Sequence, residues 1–152
     1  MRPEQKVLKK FILNGETLAI AESCTGGLIG DLLTNIPGAS ACFLLGVVAY
    51  DNAAKSKILG VPLGLFKKHG AVSSPVAKAM AQGVRKILKT DYGLSVTGIA
   101  GPGAASKDKP VGLVYIGLSS ASKTIVQKFL FKGTRLAIKK QAAQTALKML
   151  AK

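Results

Sequence analysis

Thr17-Leu18-Ala19-Ile20-Ala21-Glu22-Ser23-Cys24-Thr25-Gly26-Gly27-Leu28-Ile29 is the stretch that decides the fold. Its first five residues form a short apolar run bounded by turn signals, the pattern of a buried strand. Small and polar residues follow, and then Leu28, Ile29, Leu32 and Leu33 recur at helical spacing until Pro37-Gly38 closes the segment. A strand, a glycine loop and a helix in that order are the opening of an α/β unit.

The same alternation extends both ways. Upstream, Pro3 suits a first helical turn, Val7, Leu8, Phe11 and Ile12 share a face, and Asn14-Gly15 supplies a helix stop. Downstream, Phe43 to Tyr50 reads as a second buried strand and Asn52 to Leu59 as a short helix stopped by Gly60 and Pro62. Residues 60–74 carry Gly60, Pro62, Gly64, Gly70, Ser73 and Ser74 and read mostly as loop. Ser74 as N-cap and Pro75 at the first helical position then open a helix ending near Lys89. Tyr92 to Thr97 is a third strand. Val111 to Ser119 and Thr124 to Phe131, joined by a short polar turn, form an antiparallel hairpin. A last helix runs from about Thr134 to Leu150, with Leu136, Ala143, Leu147 and Leu150 on one stripe. The expectation is one three-layer α/β domain over residues 1–152: a mixed, mostly parallel sheet, a C-terminal antiparallel hairpin, and helices on both faces.

Composition removes several classes. Of 152 residues, 48% are apolar and mean hydropathy is +0.31, which excludes a disordered polycation despite a net charge of +15. The longest stretch free of charged and strongly polar residues, Ala41 to Tyr50, is about half a bilayer span, so no membrane partner is expected. The N-terminus has no signal-peptide core. Two cysteines make no disulfide scaffold, which places the chain in a reducing cytoplasm. A single histidine rules out paired-histidine metal sites. The basic excess is uneven: +6 over residues 1–108 and +9 over residues 109–152, where no acid occurs. Charged residues are nonetheless only 19% of the chain, Lys far outnumbers Arg, and there is no basic–aromatic ladder. Nucleic acid is therefore a conceivable partner that charge alone does not favour.

Two strands end in small-residue loops, Glu22 to Gly27 and Thr97 to Gly103. Ligands of open α/β sheets bind at carboxyl ends of strands, so both loops can line one crevice. Glycine amides approach anions closely, and the helix after Gly27 adds its positive dipole end. Ser23 and Thr25 bring hydroxyls, either as helix caps or, for Ser23, as a nucleophile that needs a base. His69 and Lys55 are the candidate bases. A lysine among apolar neighbours can lose its proton near neutrality, although Lys55 considered alone reads as a solvated surface residue. Cys24 is either a helix-terminal thiolate or a small buried filler. No paired carboxylates and no metal cluster are visible.

Five ordered motifs go further: Ala21-Glu22-Ser23-Cys24-Thr25-Gly26-Gly27, Tyr50-x-Asn52-x-Ala54-Lys55, His69-Gly70-Ala71-Val72-Ser73, Val96-Thr97-Gly98-Ile99-Ala100-Gly101-Pro102 and Lys109-Pro110-Val111-Gly112. Together they resemble the CinA C-terminal domain, the family of the bacterial nicotinamide-nucleotide amidohydrolases. The resemblance covers essentially the whole chain. It implies hydrolysis of the carboxamide of nicotinamide mononucleotide to nicotinic acid mononucleotide and ammonia in pyridine-nucleotide salvage, without metal or cofactor, by a homo-oligomer. Carried onto this chain, it makes Ser23 the nucleophile and Lys55 and Tyr50 its proton-transfer network. Thr97 and the loop from Gly98 through Gly101 to Gly103 line the substrate pocket, and Arg135 contacts the phosphate. Loop amides near Thr25, Gly26 and Gly27 would serve the tetrahedral oxyanion.

The chain departs from the family pattern at Asp51 and Ala53, where Ser and Glu are usual, at Thr134, which replaces Asp, and at Ala104 and Ala105, where glycine is frequent. Family members with a larger N-terminal domain exceed 152 residues, so a stand-alone form is expected. Two rival readings stand beside the hydrolase: a catalytically impaired nucleotide-binding protein, from those substitutions, and a nucleic-acid-associated competence protein, from the charge.

Overall fold

β1 (Leu18–Glu22) is buried along its whole length, and its two faces feed two separate cores. In the computed structural model, which describes residues 1–152, Leu18 and Ile20 point into one cluster and Ala19 and Ala21 into the other. β1 pairs in parallel with β2 (Phe43–Val48) on one side and β3 (Tyr92–Gly98) on the other. β4 (Leu113–Ser119) and β5 (Thr124–Leu130) continue the sheet antiparallel, giving the order β2-β1-β3-β4-β5. The fold is a single α/β domain with a mixed sheet: a parallel core and antiparallel end strands.

One face carries α1 (Pro3–Asn14), α2 (Leu28–Thr34) and α6 (Arg135–Ala151). Val7, Leu8 and Phe11 of α1 meet Ile29 and Leu33 of α2 and Ile138, Leu147 and Leu150 of α6 over Leu94 and Val96 of β3. Phe11 is fully buried, and truncating such a side chain typically costs about 3–5 kcal/mol. The other face carries α3 (Asn52–Leu59), α4 (Leu63–His69) and α5 (Ser74–Ile87). Val76, Met80 and Val84 of α5 pack with Leu59 and Val61 against the small side chains of Ala19 and Ala21. The close approach of α5 also explains Gly93: a Cβ there would lie 2.2 Å from the Ala81 carbonyl oxygen.

Segment 60–74 is not simply loop. Leu63–His69 forms α4, a helix without a fully buried residue, starting after Pro62 and ending at Gly70. Its seven residues contain Gly64 and no sustained apolar stripe, so periodicity could not reveal it. Ser73, not Ser74, occupies the N-cap position of α5, and its hydroxyl donates to the Gly70 carbonyl. Leu136 and Ile12 lie outside the stripes assigned to them, and both are exposed. The second and fourth strands are shorter at their outer ends than the apolar runs suggest; Gly112, with φ at +94°, turns the chain just before β4. No helix is long and apolar enough to cross a membrane.

Candidate active site

The two parallel pairings align Glu22, Val48 and Val96, so the loops that leave β1, β2 and β3 emerge at one edge of the sheet. Between them lies a crevice of about 190 Å³. Ser23, Tyr50, Lys55, Thr97, Gly98, Gly101, Gly103 and Arg135 all line it. Two cationic side chains face this space and no carboxylate does.

Ser23 follows β1 directly, and its amide donates to the Val96 carbonyl at 3.0 Å, which fixes the loop against β3. The residue is 7% exposed, and its hydroxyl has no hydrogen-bond partner within the protein. Thr25, Gly26 and Gly27 do not line the crevice. Gly26 donates its amide to the Ser23 carbonyl, and Gly27 donates to Glu22 Oε1 at 3.2 Å. The amides of Cys24 and Thr25 are the two in this loop left without an acceptor.

The N-terminus of α2 is likewise occupied. Glu22 folds its buried carboxylate back to accept from the amides of Gly27, Ile29 and Gly30. Gly27 is the cap residue and has no side chain to offer, so Glu22 satisfies donors that a cap normally serves. The expected dipole contribution to ligand binding is thus spent inside the protein. Glu22 is a positioning residue that its sequence context did not reveal, because a carboxylate ahead of a glycine-capped helix has no fixed spacing signature.

Lys55 is 2% exposed. Its placement on α3 is set by Asp51, whose side chain accepts from the Ala53 amide at 2.9 Å and starts the helix. The ammonium donates to the Tyr50 carbonyl oxygen at 3.1 Å. Burial depresses the proton affinity of Lys55 below that of an ordinary lysine, with Asp51 and Cys24 opposing the shift. A solvated surface role is therefore excluded. Burial also pushes the Cys24 thiol up to about 12, so Cys24 is the small buried filler and not a thiolate. His69 is half-buried at the end of α4 and does not line the crevice. Lys55, and not His69, shares the crevice with Ser23.

Arg135 begins α6, where the Thr134 hydroxyl accepts from the Ala137 amide and caps the helix. One guanidinium nitrogen donates to the Gly101 carbonyl at 2.6 Å and the other to the Tyr50 hydroxyl at 2.9 Å. Tyr50 consequently serves two partners, its carbonyl holding Lys55 and its phenol meeting Arg135 at the exposed mouth. Thr97 is buried, and its hydroxyl donates to the Ala71 carbonyl at 2.9 Å, tying β3 to the link before α5. Asn52 also lines the crevice, with its carboxamide unbonded in the protein. It shares a helix face with Lys55 three residues on, a spacing that marks it as a site residue only once Lys55 is placed. No three His, Cys, Asp or Glu side chains converge to hold a metal.

Comparison with known proteins shows the family. The family model of the CinA C-terminal domain matches residues 2–152. The chain belongs to the CinA C-terminal domain family. A putative competence-damage inducible protein of Caldanaerobacter subterraneus subsp. tengcongensis is 50% identical over 147 residues, which is 97% of this chain and 36% of that protein. A CinA-like protein of Acidobacterium capsulatum is 51% identical over the same share of each. The chain thus spans about a third of the length of these family members. Among solved structures, the competence/damage inducible protein CihA from Agrobacterium tumefaciens superposes with a TM-score of 0.95 at 37% identity, covering 97% of this chain and 91% of that one. Competence damage-inducible protein A from Klebsiella pneumoniae gives 0.95 at 28% identity, covering 98% and 92%.

Proposed function

We propose that the crevice hydrolyses the carboxamide of nicotinamide mononucleotide through Ser23. The observation that carries this reading is the pairing of an unbonded serine hydroxyl with a buried lysine of depressed proton affinity, in a pocket without carboxylates. Ser23 Oγ attacks the carboxamide carbon, and its proton passes to neutral Lys55 Nζ. The oxyanion accepts from the amide of Cys24, which borders the crevice beside Ser23 and has no acceptor within the protein. Collapse breaks the C–N bond, and the departing nitrogen takes the proton back from Lys55 and leaves as ammonia. Water then attacks the acyl-serine, giving its proton to Lys55, which returns it to Ser23 Oγ as the carboxylate departs. Arg135 leaves its neutral partners for the substrate phosphate, a charge-assisted exchange.

Two of the departures from the family pattern keep helix caps in place. Asp51 and Thr134 both cap the helices that carry Lys55 and Arg135. Family resemblance supplies the substrate. The test is ammonia release from nicotinamide mononucleotide by the wild type and by Ser23→Ala. The expected result is release by the wild type and a loss of about 10⁴-fold or more in the variant. A wild type that releases no ammonia overturns the substrate; equal rates in both overturn Ser23.

A further inference from the structure

A second concave region lies away from the Ser23 crevice, on the outer side of the α3–α4–α5 layer. Lys78, Gln82 and Lys86 recur every four residues on α5 and form one polar stripe, with Arg85 beside it. The opposite stripe of the helix, Val76, Met80 and Val84, is core. Two adjoining hollows share Lys78, Gln82 and Lys86. Lys57 and Pro62 rim the first, at the end of α3. Lys123 and the hydroxyls of Ser120 and Ser122, on the β4–β5 turn, rim the second.

No carboxylate lines either hollow, and residues 52–90 contain no acid at all. The one ion pair in the molecule joins Arg2 to Glu4, on α1 in the other layer. Arg85 donates its Nε to the Asp91 carbonyl and is held in place, while the four lysines carry no counter-charge.

We infer that this groove binds the phosphate backbone of duplex nucleic acid without reading its sequence. Several features select that partner. From Lys78 to Lys86 the stripe runs about 12 Å at the helical rise, a length over which a duplex presents about seven phosphate charges. Lysines and serine hydroxyls are phosphate donors, whereas base reading relies on side chains that fork onto base edges, and Arg85 is tied to backbone. No aromatic residue lines either hollow, so single strands find nothing on which to stack.

Fluorescence anisotropy with a 30-base-pair duplex in low salt tests the inference. Binding is expected to weaken with salt at a log–log slope of about −4, as four lysines contacting phosphates require. Lys78→Glu with Lys86→Glu should weaken it about tenfold or more. Lys6→Glu with Lys148→Glu, an equal charge change at the α1–α6 side, should leave it within about twofold. Thermal melting of both double variants confirms folding. Three results overturn the inference: no binding at low salt, equal loss in the two double variants, or binding to anionic vesicles without binding to the duplex. None depends on the activity at Ser23.

Discussion

The Ser23 crevice and the α5 groove are both concave and cationic, and they use lysine in opposite ways. Lys55 is stripped of water by the packing of α3 and held by one carbonyl, so its proton becomes labile. Lys78 and Lys86 stay in water, where they act at a distance within the reach of salt screening. Desolvation makes a lysine a reagent; solvation makes it a field.

Replacing Lys55 bears on that contrast most heavily. Lys55→Met should lower kcat about 10³-fold, as expected for a lost proton carrier, while the same change at Lys78 leaves kcat untouched. Stability should move the other way. Below its depressed folded value Lys55 is charged in both states, and folding carries the full cost of burying the ammonium. Between that value and the unfolded value of about 10.4 the unfolded chain binds more protons, so wild-type stability rises with pH. The Met variant is therefore expected to gain most over the wild type at low pH, and its advantage should shrink as pH climbs. Denaturant midpoints measured across pH check this; an advantage that grows with pH would show that Lys55 folds with its charge favoured.

Arg135 sits between the two regimes, exposed yet hydrogen-bonded. Arg135→Ala should raise KM for the phosphorylated substrate by roughly 10–100-fold with a small effect on kcat, the loss of one charge-assisted contact. A fall in kcat at unchanged KM would instead place Arg135 at the reacting group.

The smallest expected effect concerns the wall of the crevice. Ala104 has φ at +67°, a left-handed conformation costly for a residue with a Cβ. Ala104→Gly should raise stability by about 0.5–1 kcal/mol, strain relief less the added unfolded-chain entropy. Thermal unfolding measures the change, and a destabilised variant would show that the loop depends on the methyl group.

Much of the site was legible as a set of names and little of it as an arrangement. Ser23, Tyr50, Lys55 and Thr97 stand in ordered motifs, Arg135 comes from the family resemblance, and the structure brings all five to one crevice. Their partnerships could not be read. The resemblance groups Tyr50 and Lys55 in one proton-transfer network without saying how they meet; the Tyr50 carbonyl holds the Lys55 amine, and the phenol turns to Arg135, 85 residues away. Gly26 and Gly27 looked like anion donors because glycine amides are accessible, yet their hydrogen bonds close the loop on itself and on Glu22.

The amino-acid sequence by itself determined the order of strands and helices, the two loops at strand ends and the family, because apolar period, glycine and proline act within a few residues of where they stand. It also determined a net charge of +15 without saying where that charge would matter. Tertiary structure alone decided that Lys55 is buried, that Glu22 occupies the N-terminus of α2, and that lysines from α3, α5 and the β4–β5 turn border two adjoining hollows. Desolvation and concavity are properties of what packs against a residue, and those neighbours come from distant parts of the chain.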